Sequence, residues 1–296
     1  MSYIGRFAPS PSGPLHFGSL VCALGSYLDA KVHGGAWQLR IEDIDPPREI
    51  PGASASILRT LELHGLTWDG AVIWQSKRSE LYESVLADLR QAGHIYPCSC
   101  TRKRLEALGH RYDGYCRTHA ASQPAAWRLK VAQKTLITYT DRHLGPQKET
   151  LGEQGDFFIH RKDGLFAYAL AVVVDDWQQG ITHVVRGSDL LDATGKQIHL
   201  FNLLGAIAPS YAHIPVITNS LGLKLSKQNH AQALDDKTPG VNLWRALWAL
   251  GARPPEQVHQ ESCAELVRWA LEHWRLEQLP KGMLLPEADL PRPPGC

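Results

Sequence analysis

Apolar residues at Leu20, Ala23, Leu24, Tyr27 and Leu28 recur at helical spacing, so Leu20 to Val32 reads as a helix stopped by Gly34-Gly35. Before it, Tyr3 to Phe7 reads as a short buried strand. After it, Ala36 to Ile41 alternates with period two and reads as a second strand. The alternation continues with a helix over Ser54 to His64, a brief strand at Val72-Ile73-Trp74, and an amphipathic helix over Ser79 to Ala92 carrying Leu81, Val85, Leu86 and Leu89 on one face. Strand and helix in turn over residues 1–95 predict an α/β fold with a parallel sheet and crossover helices.

The pattern changes after His94. A basic helix is expected over Thr101 to Leu108, strands over Trp127 to Val131 and Leu136 to Thr140, and a polar loop from His143 to Gly155. Residues 96–155 thus read as an insertion between two halves of the α/β unit, 1–95 and 156–235. Leu165 to Val174 is apolar throughout until Asp175-Asp176 end it, and periodicity leaves helix and buried strand both open. Ile181 to Asp189 reads as a strand ending in charged residues, Thr194 to Leu204 as a helix and Ile214 to Ile217 as a short strand. Residues 236–296 form a short helical region, with helices over Val241 to Leu250 and Ala264 to Leu276. In them Trp244, Trp248, Trp269 and Trp274 fall at core-like spacing, ahead of an extended Pro-rich tail from Pro280.

A net charge of +1 excludes a broad basic field, so any nucleic acid is expected to meet a local footprint. The start, Met1 to Arg6, has no apolar signal region, and the run Leu165 to Val174 is too short to span a bilayer. A cytoplasmic chain without membrane contact is the expectation. Six cysteines in 296 residues do not suggest a disulfide scaffold. Three of them, Cys98, Cys100 and Cys116, form a C-x-C…C set that suits a structural metal, while Cys22, Cys263 and Cys296 stand alone and read as inert thiols. Tyr112, His119, His110 and Asp113 are open as a fourth ligand, with His119 the ordinary chemical choice.

Two stretches carry the chemistry. Gly5 to Leu20 runs from a strand through Pro9, Pro11 and Gly13 into a helix whose first turn holds His16 and Gly18; unpaired N–H groups and the helix dipole there favour phosphate. Glu42-Asp43-Ile44-Asp45 follows directly on the second strand, where open α/β sheets bind ligands. Later, Lys224 and Lys227 bracket Ser226 on a Gly-preceded loop that suits a phosphate clamp, and Arg102-Lys103-Arg104 gives the helix after Cys100 a basic face.

Together these pieces resemble the glutamyl branch of class I aminoacyl-tRNA synthetases. The matching motifs are Arg6-Phe7-Ala8-Pro9-Ser10-Pro11-Ser12-Gly13, His16-Phe17-Gly18-Ser19 in place of HIGH, Arg40 to Asp45, Val172 to Asp176, Val184 to Asp189, and Lys224-Leu225-Ser226-Lys227-Gln228 in place of KMSKS. Ser19 stands where a second His is usual. The short stretch after the lysine loop, with the three cysteines, is similar to the truncated paralogues of that branch, the glutamyl-queuosine tRNA(Asp) synthetases. The resemblance implies a Rossmann-like sheet with a zinc-bearing insertion, and a ligase that joins L-glutamate to ATP without tRNA. It then esterifies the queuosine base in the anticodon stem-loop of tRNA(Asp). It further implies catalysis by His16 and Lys227 and ATP binding by His16, Gly18, Ser19, Lys224, Ser226 and Lys227 with Mg2+. Glutamate binding falls to Arg6, Phe7, Ala8, Pro9, Ser10, Glu42, Tyr168 and Arg186, with Arg6 and Arg186 as carboxylate clamps and Glu42 on the ammonium. One Zn2+ falls to Cys98, Cys100, Tyr112 and Cys116, Tyr112 replacing the chemist's choice of His119. A monomer is expected. An ordinary glutamyl- or glutaminyl-tRNA synthetase fragment and an HxGH-type nucleotidylyltransferase are the rival readings, the latter usually lacking the paired-lysine loop. A zinc-dependent RNA-binding protein with a decayed site is the non-enzyme rival.

Overall fold

The computed structural model describes residues 2–109, 111–225, 232–255 and 261–291. In chain order the first half holds β1 (Ile4–Phe7), α1 (Phe17–Val32), β2 (Ala36–Ile41), α2 (Ala53–Leu63), β3 (Ile73–Trp74) and α3 (Ser79–Gln91). β1, β2 and β3 pair in parallel in that order, with Phe7 opposite Leu39 and Ile41 opposite Trp74. The crossover helices follow from the apolar spacing. Leu20, Leu24 and Leu28 of α1 are fully buried, and Trp37 of β2 is buried with its indole N–H donating to Ser26 Oγ at 2.9 Å, so its one polar atom is satisfied.

The middle of the chain contributes β4 (Ile95–Cys98), α4 (Arg102–Ala107), β5 (Ala126–Leu129), β6 (Leu136–Asp141), β7 (Gly145–Thr150), α5 (Leu151–Gln154) and β8 (Phe157–His160). β4, β5 and β8 make a small antiparallel sheet, and β6 and β7 a hairpin. The segment expected as a polar loop, His143 to Gly155, therefore holds a strand and a turn of helix. Its residues are polar because every second position of β7 is exposed, while Glu149 reaches across to accept the Gly195 N–H at 2.9 Å.

The chain then returns to the parallel layer through α6 (Tyr168–Gln178), β9 (His183–Gly187), α7 (Leu191–Leu203), β10 (Ser210–Ile214) and β11 (Val216–Thr218). β9 and β10 pair in parallel, and β9 lies beside β1, where the Thr182 N–H donates to the Ile4 carbonyl at 2.9 Å. The apolar run whose periodicity was ambiguous is helical at its C-terminal part. It lacks a polar face because α6 is covered on all sides, Leu170 to Val174 being buried. Asp175 and Asp176, which end the apolar run, lie inside the helix, buried and held by ion pairs. α8 (Pro239–Ala249) and α9 (Cys263–His273) pack against α1, burying Trp244 and Trp274. The tail is not simply extended: β12 (Leu284–Pro286) pairs in parallel with β11. No helix among the described residues is long and apolar enough to cross a membrane.

Candidate active site

A cavity of about 560 Å³ opens at the C-terminal ends of β1, β2 and β9, where an open parallel sheet exposes its loops. The residues assigned from sequence to the amino acid, Arg6 to Ser10, Glu42, Tyr168 and Arg186, all line it. So do His16, Gly18, Ser19 and Lys224 from the nucleotide set. Ser226 and Lys227 lie outside the described residues. The Glu42 N–H donates to the Pro9 carbonyl at 3.0 Å, which ties the end of β2 to the turn after β1.

One side of the cavity rests on a buried charge cluster. The Arg40 guanidinium is fully buried, 2.8 Å from Asp176, 3.6 Å from Glu42 and 3.7 Å from Asp175. Asp175 also meets Arg78 Nε at 2.6 Å and accepts from Gln75 Nε2 at 2.7 Å and from the Tyr82 hydroxyl at 2.8 Å. Burial would raise the Asp176 carboxyl, but Arg6 and Arg40 outweigh it and hold it below the usual carboxylate range. Glu42 goes the other way. Burial pushes it up to about 7 against the pull of Arg40 and Arg6, and its Oε1 accepts no hydrogen bond. A buried, under-bonded carboxylate facing a cavity is complementary to a small cation.

The two arginines differ in what they leave for a ligand. Arg6 directs Nε and Nη2 at Asp176, at 3.3 and 3.5 Å, and Nη1 makes no hydrogen bond among the described residues. Arg186 gives Nε to His213 Nε2 at 3.0 Å, Nη1 to Gln197 Oε1 at 2.8 Å, and Nη2 to Thr194 Oγ1 at 2.7 Å and the Leu190 carbonyl at 3.3 Å. A guanidinium has five N–H groups, so one Nη1–H remains. Arg186 has no ion pair with Asp189, which instead holds Lys224 Nζ at 2.5 Å. The fork expected of Arg186 is therefore reduced to a single donor and a charge.

His16 caps α1 rather than sitting within its first turn: its Nδ1 accepts the Ser19 N–H at 3.2 Å and its Nε2 lies 3.1 Å from Ser19 Oγ. Ser19 thus bonds to both ring nitrogens. A Cβ at position 18 would stand 3.3 Å from His16 Cε1, a tight approach that would press on the imidazole. Cys22 also lines the cavity, and burial with the nearby Asp189 charge pushes its thiol up to about 12, so it stays protonated.

Beyond the cavity, Cys98, Cys100 and Cys116 bring their sulfurs within 4.8 Å of one another. The Tyr112 hydroxyl lies 3.7 Å from both Cys98 Sγ and Cys100 Sγ. His119 is exposed and stacked on Tyr115 with ring centroids 3.9 Å apart, and Asp113 is forked onto Arg104, so neither joins the sulfurs. His110 lies outside the described residues. Three thiols and a phenol at one point are a donor set that fits a tetrahedral metal ion.

Residues 4–251 match the family described as tRNA synthetases class I (E and Q), catalytic domain. The chain belongs to that family. It is 52% identical to the glutamyl-Q tRNA(Asp) synthetase of Salmonella typhi, with 94% of each chain covered. It is 49% identical to the protein of that name from Pseudomonas aeruginosa, over 98% of this chain and 99% of the other. Among solved structures it is similar to a glutamate tRNA ligase from Elizabethkingia meningosepticum in complex with its amino acid. The TM-score is 0.81 and the identity 25%, covering 96% of this chain and 67% of that one. The chain is thus a class I aminoacyl-tRNA synthetase-like ligase with the expected α/β fold and a cysteine cluster able to hold a metal.

Within this class I site, sequence reasoning left Arg40, Asp176 and His213 without roles. The first two sat in quoted motifs far apart in the chain, on β2 and α6, and only the fold brings them together. His213 carried no signal, because its partners come from β6 and β9.

Proposed function

We propose that this chain activates L-glutamate with ATP in the absence of tRNA and transfers it to the queuosine base at the wobble position of tRNA(Asp). The observation that carries the reading is the pair of end-to-end relatives, about half identical, named glutamyl-Q tRNA(Asp) synthetase. The cavity chemistry supports the amino acid. Glu42 receives the α-ammonium, Arg6 forks onto one carboxylate through its unused edge, and Arg186 supplies one N–H and a charge to the other. Tyr168 forms a wall with a hydroxyl. Phe7 to Ser10 shape the floor.

A carboxylate oxygen of glutamate attacks the α-phosphorus of ATP and pyrophosphate leaves. His16, the N–H groups of the first turn of α1 and the lysine loop, with Lys224 and Lys227, stabilise the developing phosphate charge. Mg2+ brought in with ATP would neutralise the phosphates. A queuosine hydroxyl then attacks the acyl carbon and AMP leaves. Cys98, Cys100, Cys116 and Tyr112 would hold one structural Zn2+. The chain works as a cytoplasmic monomer. The test is ATP–pyrophosphate exchange without tRNA, followed by transfer of labelled glutamate. Exchange with glutamate but not glutamine or aspartate, and label on queuosine-bearing but not unmodified tRNA(Asp), is expected. Exchange that requires tRNA(Glu), with label at a 3′ end, would overturn it.

A further inference from the structure

Asp141, His213 and Arg186 form a hydrogen-bonded chain that runs from the β6–β7 hairpin to the cavity. All three are buried, at 1%, 0% and 4% exposure. His213 lies opposite Arg186 in the β10–β9 register, and its Nε2 is 3.0 Å from Arg186 Nε. Since a guanidinium only donates, Nε2 must carry the lone pair. The ring proton is then on Nδ1, 2.6 Å from Asp141 Oδ2. The other Asp141 oxygen, Oδ1, accepts the backbone N–H groups of His143, Leu144 and His213 at 3.0, 2.8 and 3.2 Å. Thr194 Oγ1 also lies 3.2 Å from His213 Nε2, but its own hydroxyl donates to the Leu190 carbonyl at 3.2 Å, so the Arg186 Nε–H is the donor that sets the lone pair on Nε2. Burial lowers the His213 pKa, and the Arg186 charge adds to this, outweighing Asp141 and Asp189. Tyr211 stacks on the imidazole at 6.1 Å and underlies the Arg186 guanidinium at 5.0 Å, so the charged groups facing the ring are Asp141, Arg186 and Asp189.

We infer that Asp141 and His213 are positioning residues for glutamate recognition: Asp141 fixes the His213 tautomer, and His213 fixes the orientation in which Arg186 presents its last N–H to the cavity. The inference rests on the proposed role of Arg186 as a glutamate ligand. Its chemical content is that His213 serves as an acceptor and never as a base in the reaction, because its basic nitrogen is occupied by Arg186. It also makes the β6–β7 hairpin, outside the parallel sheet, part of the amino-acid site.

Asp141→Asn separates positioning from mere packing. The three backbone donors hold the amide oxygen at the Oδ1 position, so the amide NH2 faces His213 Nδ1. That drives the ring proton to Nε2, where it opposes the Arg186 N–H. The expected result in glutamate-dependent exchange is a KM for glutamate raised about tenfold or more, with the KM for ATP within about twofold. His213→Leu is expected to behave similarly. His213→Gln, whose amide oxygen reaches the Nε2 position, retains glutamate KM within about threefold. Nitrogen-15 NMR of the whole chain reads the tautomer directly: Nε2 unprotonated in the wild type, protonated in Asp141→Asn. A wild-type ring protonated at Nε2 overturns the inference whether or not any variant folds. So does an unchanged glutamate KM in Asp141→Asn with the tautomer switched. Arg186→Ala distinguishes the two levels: an unchanged glutamate KM there defeats the Arg186 assignment itself, whereas a raised KM beside an unchanged Asp141→Asn defeats only the relay.

Discussion

Burial raises the Glu42 carboxyl to about 7, and Arg40 and Arg6 only partly offset it, so its charge at neutral pH is maintained against the folding equilibrium. An isolated carboxyl ionises near 4.3, so stability from this group is full below that pH and is lost as pH rises towards 7. The loss is on the order of 3 kcal/mol. Two outcomes follow from one sign. The KM for glutamate in exchange should fall as pH rises from 6 to 8, because the ammonium meets an ionised Glu42 more often; a flat profile would remove Glu42 from the ammonium site. Glu42→Gln should abolish glutamate-dependent exchange and yet melt no lower than wild type at pH 8, since an amide carries no ionisation cost. A lower melting temperature at pH 8 contradicts the assignment of strain to this residue. Glu42 was legible as facing the cavity because it follows a period-two strand directly. Its strain was not, since the burial that sets it comes from the packing around the cavity, and the Arg40 and Arg6 charges only partly offset it.

At the scale of elements, sequence pattern worked where a wet face met an apolar one and failed where no face was wet or the covered face was itself polar. α3 was readable from Val85, Leu86 and Leu89, whereas α6 carries buried side chains all round and so gave no period. β7 failed in the opposite sense: as the outer strand of a hairpin it shows Gln147, Lys148 and Glu149 rather than an apolar alternation. β12 was missed because three residues before a proline-rich end give no pattern, and only its pairing with β11 makes it a strand. The aspartates of α6 show what the helix is built to do. Asp175 is fully buried with Arg78, Gln75, Tyr82 and Arg40 around it, linking the helix to β2 and to the segment after β3. Removing one member of such a buried cluster leaves the others uncompensated, which costs about 3–5 kcal/mol. Asp175→Ala should lower unfolding free energy by that amount in denaturant titrations. A change below about 1 kcal/mol, the range of surface pairs, would show that the cluster is solvated.

Across the whole molecule, the cysteine cluster and the cavity are joined by the antiparallel sheet of β4, β5 and β8. Arg161, just after β8, lines both the hollow beside Cys98 and Cys100 and a second chamber of about 480 Å³ that shares Glu42, Tyr168 and Lys224 with the cavity. Arg102 and Lys162 also line that hollow, together with Asp163, which pairs with Arg161. The sheet itself is anchored by Asp156, which takes Tyr96, Arg117 and the Val131 N–H on its two oxygens and lies outside the sulfur cluster. Loss of the metal should therefore loosen α4 and the Cys116 turn while leaving the parallel sheet and its charge cluster intact. The expected outcome is one zinc per chain by elemental analysis, released as pH falls and thiolates protonate. Cys100→Ser, or chelation, should reduce glutamate transfer to queuosine-bearing tRNA(Asp) about tenfold or more and raise the KM for that tRNA. Glutamate-dependent exchange should stay within about twofold, because none of its proposed ligands touches the insertion's sulfurs. Equal loss of both activities would mean that the metal supports the whole fold. Equal retention of both would detach the insertion from RNA and leave the basic hollow beside Arg161 without a part in the reaction.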